Sequence, residues 1–488
     1  MQERLSAETS AHAHAHAQNR FAVIPASERL GASEEYAGRG VTIAFLDSGF
    51  YPHPDLTEPR DRIVAFKDIC GEVSSLDADA PVESWQWHGT QTAVVAAGNG
   101  RLSDGLYRGL AWEARLVLVK VSERGRITEE NIARGIRWVI ENRERYRIRV
   151  LNISLGGDED IPCSRSIVDL AAEDAVRAGV VVVAAAGNGG DSSRHTPVPP
   201  ANSPSVITVG GYDDRNQLGD RRYGLYHSNF GATADGFVKP ELIAPATWVA
   251  APILPGTALY RAAEQLSELA HAPDYRLRGL ARNLDAWGGV PPALFGGDAG
   301  EIRLAIESLL MENKIVATHY QHVDGTSFAA PCVTSVVAQM LEANPALTPA
   351  AVRNILVATA ARLNGAEAIR QGHGVLNASR AVELAERERH SLEAHEPPRV
   401  RDGRLIFFYH DDEAERVALA SDFNDWNPSG APFAREADGI WRAEVAPPPA
   451  GRYRYKFVVN EGRWLEDPLN GLKEPDEYGG FNSLLEID

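Results

Sequence analysis

The stretch VTIAFLD, residues 41–47, is a continuous apolar run that ends in a carboxylate. Runs of β-branched residues that are apolar on both faces are typical of buried parallel strands. The same form recurs at three later places in the chain: LVLVKV (116–121), VLNISLGG (150–157) and GVVVVAAAGN (179–188). These segments predict neighbouring strands of one parallel sheet.

Helical periodicity fills the gaps between these runs. The segment 128–146 begins with Thr128, a good N-cap, and carries two acids in its first turn. The segment 166–179 ends at Gly179, a residue suited to a helix C-terminus. Strands that alternate with helices predict a doubly wound α/β fold with a mostly parallel sheet, in which ligands bind at the carboxyl ends of the strands.

The composition is that of a globular protein with more than one domain. A chain of 488 residues is too long for one ordinary core, and its residues are 44% hydrophobic and 24% charged. The formal net charge of −18 argues against nucleic acid and anionic membranes as partners, because both require basic patches. No apolar run in the sequence approaches the roughly 20 residues that span a bilayer.

Cysteine usage and the first residues bear on the cellular compartment. The chain contains Cys70, Cys163 and Cys332, a sparse and odd set that indicates free thiols in a reducing compartment. The N-terminal stretch lacks the apolar core of a secretory signal. We therefore expect a cytoplasmic protein.

Residues 1–21 form a segment of low complexity. Histidines alternate with alanine at His12, His14 and His16. On an extended chain these histidines would share one side and could hold a metal ion, but the simpler interpretation is a solvated tail. The segment is therefore predicted to be disordered.

Residues 22–395 are expected to form the α/β domain, with an insertion at about 253–322. The insertion contains two amphipathic helical patterns joined by the Gly/Pro-rich piece GGVPPALFGG. It ends immediately before the serine-containing stretch GTSFAAP (325–331). A lid or exosite at a functional site and a surface decoration are both consistent with that position.

Residues 396–488 are predicted to form a small all-β sandwich. The stretch YRYKFVV (453–459) alternates between two faces, which is typical of a half-exposed antiparallel strand. Further short strand-like runs surround it: LIFFY, VALAS, WRAEV and LLEI. Together they give a strand-rich domain of about 90 residues.

Four polar residues lie where the predicted sheet would gather them: Asp47 and Asn188 after strands, and His88 and Ser327 at helix starts. Catalysis by a serine nucleophile requires a base within hydrogen-bond reach and a carboxylate that orients this base. An amide beside a helix N-terminus can stabilise the developing oxyanion. Each residue alone is also explained as a cap or turn residue, but the set favours a serine nucleophile.

The order of these residues and the sequence around them resemble the subtilases, serine peptidases with a doubly wound α/β fold. The matching stretches, within about residues 22–385, are DSGFYPHPDL, HGTQTA, NISLGG, AAAGN and GTSFAAP. The resemblance implies that Asp47 orients His88, which acts first as general base and then as general acid. It also implies that Ser327 attacks the peptide carbonyl, and that Asn188 and the Ser327 N–H bind the oxyanion.

The same resemblance implies two substrate-binding edges. Ser154, Leu155 and Gly156 match a strand that pairs with the substrate backbone and walls the primary pocket, and Gly125 falls on the opposite edge. This chemistry requires no cofactor or metal ion. Structural calcium is common in the family, but the sequence shows no convincing acidic loop for it.

The chain departs from the family pattern at two positions near the site. Gln91 follows HGT, where many relatives have a second histidine, and Cys332 follows Ala-Pro, where relatives often have histidine. Neither position carries the chemistry in the family. Both residues are therefore interpreted as packing residues.

The C-terminal domain has its own motifs: FNDWNP (423–428), YKFVVNEGRWLEDP (455–468) and GGFNSLL (479–485). They resemble the early-set carbohydrate-binding domains of glycogen-branching enzymes and of the β subunit of AMP-activated kinase. Flat aromatic rings stack on sugar faces, while lysine and asparagine bond the hydroxyls. The alternative is a structural sandwich with both tryptophans in its core. The residues that the resemblance assigns to α-glucan binding are Trp426, Lys456, Trp464 and Asn482.

The sequence thus predicts a serine endopeptidase that acts on proteins or peptides. Its C-terminal domain is expected to target the enzyme to glycogen or another α-glucan. One alternative is a catalytically silent scaffold that binds glucan, against which the intact set of four polar residues argues. A second alternative is a carbohydrate-active enzyme. The sequence of the sandwich argues against it, because no suitably placed pair of carboxylates appears there.

Overall fold

Helices and strands alternate along the N-terminal domain, whereas the C-terminal domain consists of strands. The computed structural model describes residues 23–73, 75–192, 195–218, 223–282, 297–388, 392–436, 439–460 and 462–487. Its α-helices are α1 (Ala26–Arg29), α2 (Pro54–Thr57), α3 (Trp87–Ala97), α4 (Glu129–Tyr146), α5 (Ile167–Arg177), α6 (Ala258–His271), α7 (Asp274–Arg282), α8 (Ala299–Glu312), α9 (Thr326–Ala343), α10 (Pro349–Thr359), α11 (Ala368–Gln371) and α12 (Ala378–Arg387).

The strands of the N-terminal domain are β1 (Thr42–Asp47), β2 (Ile63–Asp68), β3 (Arg115–Lys120), β4 (Ile148–Ile153), β5 (Val181–Ala185), β6 (Ile207–Asp213), β7 (Gly224–Leu225), β8 (Gly231–Ala232), β9 (Val238–Lys239), β10 (Leu242–Pro245), β11 (Val249–Pro252), β12 (Ile315–Ala317) and β13 (Tyr320–Val323). Those of the C-terminal domain are β14 (Arg399–Arg401), β15 (Arg404–His410), β16 (Val417–Ser421), β17 (Ala434–Arg435), β18 (Ile440–Val445), β19 (Gly451–Val459), β20 (Arg463–Leu465), β21 (Lys473–Pro475) and β22 (Phe481–Ile487). The predicted tail with His12, His14 and His16 lies outside the described residues.

The central sheet has the strand order β10-β6-β5-β4-β1-β3-β2, and these neighbours are all parallel. Short β7 pairs antiparallel with β6. The predicted doubly wound α/β fold is therefore confirmed. Strand β1 lies between β4 and β3, so the strand order reverses beside it, and ligand crevices form at such reversals. Asp47, the last residue of β1, lies at this carboxyl edge.

The two faces of the sheet explain why its strands are continuous apolar runs. Ile43 and Phe45 of β1 pack into a core that includes α3 and α9, while Ala44 and Leu46 pack into a second core with α4 and α5. Helix α9 lies inside the first core. Its residues are buried from Thr326 to Leu341 except for Ser327, which stays half-buried.

The insertion is a small subdomain with its own apolar core. Strands β11 and β13 pair antiparallel, with Val249 opposite Val323, so the two ends of the inserted segment lie side by side. Helices α6, α7 and α8 pack around a cluster that includes Leu266, Leu277 and Ile302. This cluster is separate from both cores of the central sheet.

The C-terminal domain is a sandwich of two antiparallel sheets, ordered β14-β15-β18-β17 and β16-β19-β22-β21, with β20 beside β19. This confirms the predicted all-β fold. The prediction of a half-exposed β19 is wrong at its second half, where Lys456 and Val458 are only 9% and 3% exposed. Trp464 lies opposite Val458 on β20, and Asp476 forms an ion pair with Lys456, so the outward face is covered there.

The two domains contact each other through polar side chains. Lys473 of the sandwich places its Nζ 2.9 Å from Nε2 of His373, and Arg362 of the N-terminal domain pairs with Glu466. The predicted boundary between residues 395 and 396 falls between α12 and β14 and stays a prediction. No helix in the described ranges is both long and apolar enough to cross a membrane.

Candidate active site

Asp47 and His88 form a hydrogen bond at the carboxyl edge of the central sheet. Nδ1 of His88, the second residue of α3, lies 2.8 Å from Oδ1 of Asp47. The same carboxylate accepts hydrogen bonds from the backbone N–H of Ser48 (2.7 Å) and from Oγ1 of Thr92 (3.4 Å). Asp47 is 1% exposed, so its charge is fixed in place and faces the imidazole.

This contact determines how His88 can act. Burial of the ring disfavours its protonated form, but the charge and the hydrogen bond of Asp47 outweigh burial and raise the pKa of His88 above its ordinary value. Because the carboxylate accepts from Nδ1, the neutral ring carries its proton there. Nε2 is then the basic nitrogen.

Ser327 lies in the first turn of α9. The ring of Phe328, the following residue, has its centroid 5.9 Å from that of His88. The Ser327 hydroxyl donates to the carbonyl oxygen of Ser154 at 3.3 Å. In this structure the hydroxyl therefore faces Ser154.

Asn188 is held by the residue that precedes the serine. Its Oδ1 accepts from the backbone N–H of Thr326 (2.9 Å) and from the Thr326 hydroxyl (3.0 Å). The donor end of the amide, Nδ2, is thereby turned the other way. Gly325 has a φ of 138°, a backbone conformation that favours glycine, and Nδ2 of Asn188 lies 3.7 Å from the position that a Cβ would take there.

Of the substrate-edge residues, Ser154 is closest to the serine helix. It follows β4, and its hydroxyl donates to the carbonyl of Ser327 at 2.9 Å, so the two serines are joined by two hydrogen bonds. Leu155 is half-buried and Gly156 is exposed. A side chain at Gly156 would collide with the carbonyl of Pro199, 2.9 Å from the position of its Cβ.

Gly125 lies at the tip of a tight hairpin. Glu123 and Arg126 exchange two backbone hydrogen bonds of 2.8 Å, and Arg124 and Gly125 between them have φ values of 49° and 82°. The backbone of Gly125 is therefore turned, whereas a strand that pairs with substrate is extended. Its role as a substrate-binding edge stays a prediction.

Gln91 and Cys332 are both buried. Nε2 of Gln91 donates to the carbonyl of Pro252 at 2.9 Å, which ties α3 to the base of the insertion. Burial raises the pKa of the Cys332 thiol to about 12. These surroundings support the interpretation of both as packing residues.

Trp87 is a residue near the site that the motifs did not single out. It is 48% exposed, and its ring meets the His88 ring edge-on at a centroid distance of 5.2 Å. A large exposed aromatic beside the imidazole can contact a bound chain. The signal in the sequence was the pair of tryptophans in WQWHGT, directly before the histidine.

The N-terminal domain matches the model of the subtilase family over residues 38–375. The chain belongs to the subtilase family. Serine protease AprX of Bacillus subtilis (strain 168) is 30% identical over 369 residues, which cover 73% of this chain and 69% of that protein. The major intracellular serine protease of the same organism is 34% identical over 188 residues, which cover 38% of this chain and 54% of that protein. This subtilase is therefore a subtilisin-like serine protease.

A solved structure shows the same fold. Fervidolysin from Fervidobacterium pennivorans, described as a keratinolytic enzyme related to subtilisin, has a TM-score of 0.51 and 19% sequence identity. The match covers 88% of this subtilase and 55% of that chain. At this identity the likeness concerns the fold alone.

The candidate carbohydrate residues gather on the outward face of one sheet of the sandwich. The rings of Trp426 and Trp464 have centroids 6.4 Å apart at 35°, and Trp464 is 42% exposed. Lys456 and Val458 alternate along this face of β19, and Trp464 is the cross-strand partner of Val458. Asn482 belongs to the same face of β22, because its neighbour Ser483 pairs with the inward-facing Tyr455.

Trp426 is held in an unusual backbone conformation. Asp425 and Trp426 have φ values of 54° and 53°, and the Trp426 indole N–H donates to Oδ1 of Asp422 at 3.1 Å. Such strain persists where surrounding contacts fix it, and it is common at ligand sites. Neither Trp426 nor Trp464 is a core residue, which argues against a purely structural role.

The C-terminal region, residues 391–469, matches the model of carbohydrate-binding module 48, described as the isoamylase N-terminal domain. This subtilase therefore carries a carbohydrate-binding module after its protease domain. Asn482 lies beyond the matched residues.

Proposed function

We propose that this subtilase hydrolyses peptide bonds through Asp47, His88 and Ser327. The observation that carries the proposal is the 2.8 Å contact between Asp47 and Nδ1 of His88, beside the half-buried serine that opens a buried helix. A carboxylate that fixes Nδ1 leaves Nε2 as the base, and a serine in the same crevice is the nucleophile. If Asp47, His88 and Ser327 had a purely structural role, the hydroxyl of Ser327 would not need to be accessible.

In the proposed mechanism, the Ser327 hydroxyl rotates from Ser154 toward His88 as substrate binds. Nε2 of His88 takes its proton while Oγ attacks the carbonyl carbon, and Asp47 stabilises the resulting imidazolium. His88 then returns the proton to the leaving amine. Water enters and repeats the sequence to release the acyl group from Ser327.

The oxyanion is proposed to bind between Asn188 and the N-terminus of α9. Thr326 holds Oδ1 of Asn188, so Nδ2 is the end available to a developing negative charge. The N–H of Ser327 belongs to the first turn, where helix N–H groups have no partner within the helix. Two donors that are fixed before reaction stabilise the charge without reorganisation.

We infer that Ser154, Leu155 and Gly156 bind the substrate backbone. The segment continues β4 past the last hydrogen-bonded residue of the sheet and runs beside the Ser327 helix. A peptide laid along it would place a carbonyl near Oγ of Ser327. The substrates are proteins or peptides.

The test of this proposal compares two serines of one helix. Ser327→Ala should reduce hydrolysis of casein and of short chromogenic peptides by about 10⁶-fold, the loss that removal of the serine causes in subtilisin. The matched control is Ser335→Ala, because Ser335 is buried on α9 and bonds only the carbonyl of Cys332. Equal hydrolysis by Ser327→Ala and wild type would refute Ser327 as the nucleophile. Absence of hydrolysis by folded wild type would favour the silent scaffold.

The C-terminal module is proposed to target the protease to an α-glucan such as glycogen. The support is a neighbouring pair of tryptophans, exposed Trp464 and half-buried Trp426, with Lys456 and Asn482 on the same sheet face. The full-length protein should be retarded on amylose resin, and the Trp426→Ala/Trp464→Ala double variant should not. Tyr478→Ala is the control, since Tyr478 is a 92% exposed aromatic of the same domain. Equal elution of the double variant and wild type would refute this role.

The cytoplasm stays the proposed location. The support is a sparse set of three free thiols, Cys70, Cys163 and Cys332, since disulfides are rare in reducing compartments. Cell fractionation of the native host tests the proposal, and recovery of the protein in the medium would contradict it.

A further inference from the structure

A cluster of two histidines and one glutamate lies at the junction of the two domains, away from the triad. Glu388 directly follows α12, His395 ends the short helical turn of the connecting segment, and His410 ends β15 of the sandwich. One ligand atom of each lies within 4.8 Å of those of the other two. We propose that these three side chains bind a divalent transition-metal ion, with Zn²⁺ as the expected ion, that joins the protease domain to its carbohydrate-binding module.

His395 supplies the strongest observation. The residue is 3% exposed, and its Nε2 is buried without a hydrogen-bond partner. A buried polar atom of this kind is costly unless something satisfies it. Nε2 lies 3.5 Å from Oε2 of Glu388. Two ligands of a tetrahedral zinc ion, each about 2.0–2.1 Å from the metal, are about 3.4 Å apart.

His410 is oriented as a metal ligand usually is. Its Nε2 lies 2.7 Å from the carbonyl oxygen of Ala394, so this nitrogen carries the proton and Nδ1 is the nitrogen that would bind a metal ion. Metal-bound histidines commonly donate their other ring N–H to a backbone carbonyl in this way. The rings of His395 and His410 are stacked at a centroid distance of 4.6 Å.

Metal binding at Nε2 of His395 also requires a change at Asn354. Nδ2 of Asn354 lies 3.3 Å from Nδ1 of His395 and 2.9 Å from the His395 carbonyl. With the metal on Nε2, the ring proton moves to Nδ1. The amide then turns its oxygen toward Nδ1 and gives up its contact with the carbonyl, while the metal satisfies the buried nitrogen.

The donor set indicates the class of ion. Two imidazoles and one carboxylate suit zinc and neighbouring transition ions, whereas calcium and magnesium prefer all-oxygen sites. Three protein ligands leave a position for water. A cleft of about 820 Å³ between the domains is lined in part by Glu388 and His410 and gives an ion access. The bound ion would connect α12 to β15 and fix the module on the protease domain.

The experiment must exclude other metal sites and self-digestion. Every sample therefore carries His12→Ala, His14→Ala and His16→Ala, since these tail histidines can bind metal by themselves, and also Ser327→Ala. The full-length protein is stripped with EDTA, titrated with Zn²⁺ by calorimetry, and loaded separately with Co²⁺ for visible absorption spectroscopy. These readouts do not depend on peptide hydrolysis, so they are independent of the proposed function.

The protein with the intact cluster should bind one equivalent of Zn²⁺, melt at a higher temperature with Zn²⁺, and show a Co²⁺ absorption spectrum. Glu388→Gln and His410→Ala should each lose at least about 10-fold in affinity. His271→Ala, at an exposed histidine of α6, should bind like the parent. Melting without metal verifies that the variants fold. No Zn²⁺ binding by the intact cluster, or equal affinity in Glu388→Gln and the parent, would overturn the proposal.

Discussion

The hydroxyl of Tyr320 donates to Oδ2 of Asp55 across a distance of 2.5 Å, and both residues are completely buried. Tyr320 belongs to β13, at the end of the insertion, whereas Asp55 lies in the short helix α2 after Asp47. The insertion is thus anchored beside the segment that leads out of the candidate active site. The insertion is joined to the protease core at this point, whereas its role as a lid, an exosite or a surface decoration stays open.

Removing this contact should destabilise the protein. Tyr320→Phe leaves Oδ2 of Asp55 buried without its donor, and the free energy of unfolding should fall by about 1–3 kcal/mol. Urea denaturation measures the change. Tyr275→Phe, at a tyrosine that is 86% exposed, should have no effect. A Tyr320→Phe midpoint equal to that of wild type would show that the contact contributes nothing.

The pH dependence of catalysis should report the raised pKa of His88. The base must be neutral, so kcat/KM should rise with pH, and the midpoint of its acid limb should lie above the ordinary histidine value of about 6.5. Asp47→Asn removes the interaction that raises the pKa, so the midpoint should move to lower pH while the rate falls by about 10⁴-fold. An unchanged midpoint in this variant would refute the role of Asp47.

Trp87 should contribute to substrate turnover without being essential. Its edge-on contact with His88 and its exposure leave its ring available to a bound chain. Trp87→Ala should lower kcat/KM for peptides by about 2- to 10-fold, the range expected for one aromatic contact. Trp87→Phe should restore most of the loss. If kcat/KM of Trp87→Ala, measured over a peptide library, equals that of wild type, a contact between Trp87 and the substrate is excluded.

The interface between the domains should weaken in acid. Burial, together with the positive charges of Lys473, Arg362 and Arg353, lowers the pKa of His373 well below its ordinary value. A base with a lowered pKa in the folded state contributes stability above its unfolded pKa of about 6.5, and this contribution is lost as the pH falls below that value. Between pH 7.5 and 5, unfolding free energy should fall by up to about 2 kcal/mol.

His373→Gln provides the matched comparison for that prediction. The glutamine oxygen can still accept from Lys473, but the side chain does not titrate. The variant should therefore lose less stability than wild type over the same pH range, as measured by chemical denaturation at each pH. Parallel pH profiles for the two proteins would contradict the assignment.

The strands were predictable because burial on both faces leaves a continuous apolar run, as in residues 41–47. Motif spacing likewise placed Asp47, His88 and Ser327 at the edge where the strands end. The covered face at Lys456 was not predictable, because its partners Trp464 and Asp476 belong to other strands.

Contacts between segments that are distant in the chain could not be predicted from the sequence. Tyr320 and Asp55 are 265 positions apart, and no local pattern joins them. The rotamer of the Ser327 hydroxyl, which faces Ser154, also depends on packing and not on spacing. The junction cluster combines residues of three elements, so neither of its histidines carried a recognisable ligand motif.

The most direct test of the triad is covalent labelling with a fluorophosphonate probe. The probe should modify wild type at one serine, and peptide mapping by mass spectrometry should place the adduct on Ser327, within residues 325–331. Labelling should disappear in Ser327→Ala, weaken strongly in Asp47→Asn and persist in Ser335→Ala. Absence of an adduct in folded wild type, or an adduct on any other serine, would contradict the account.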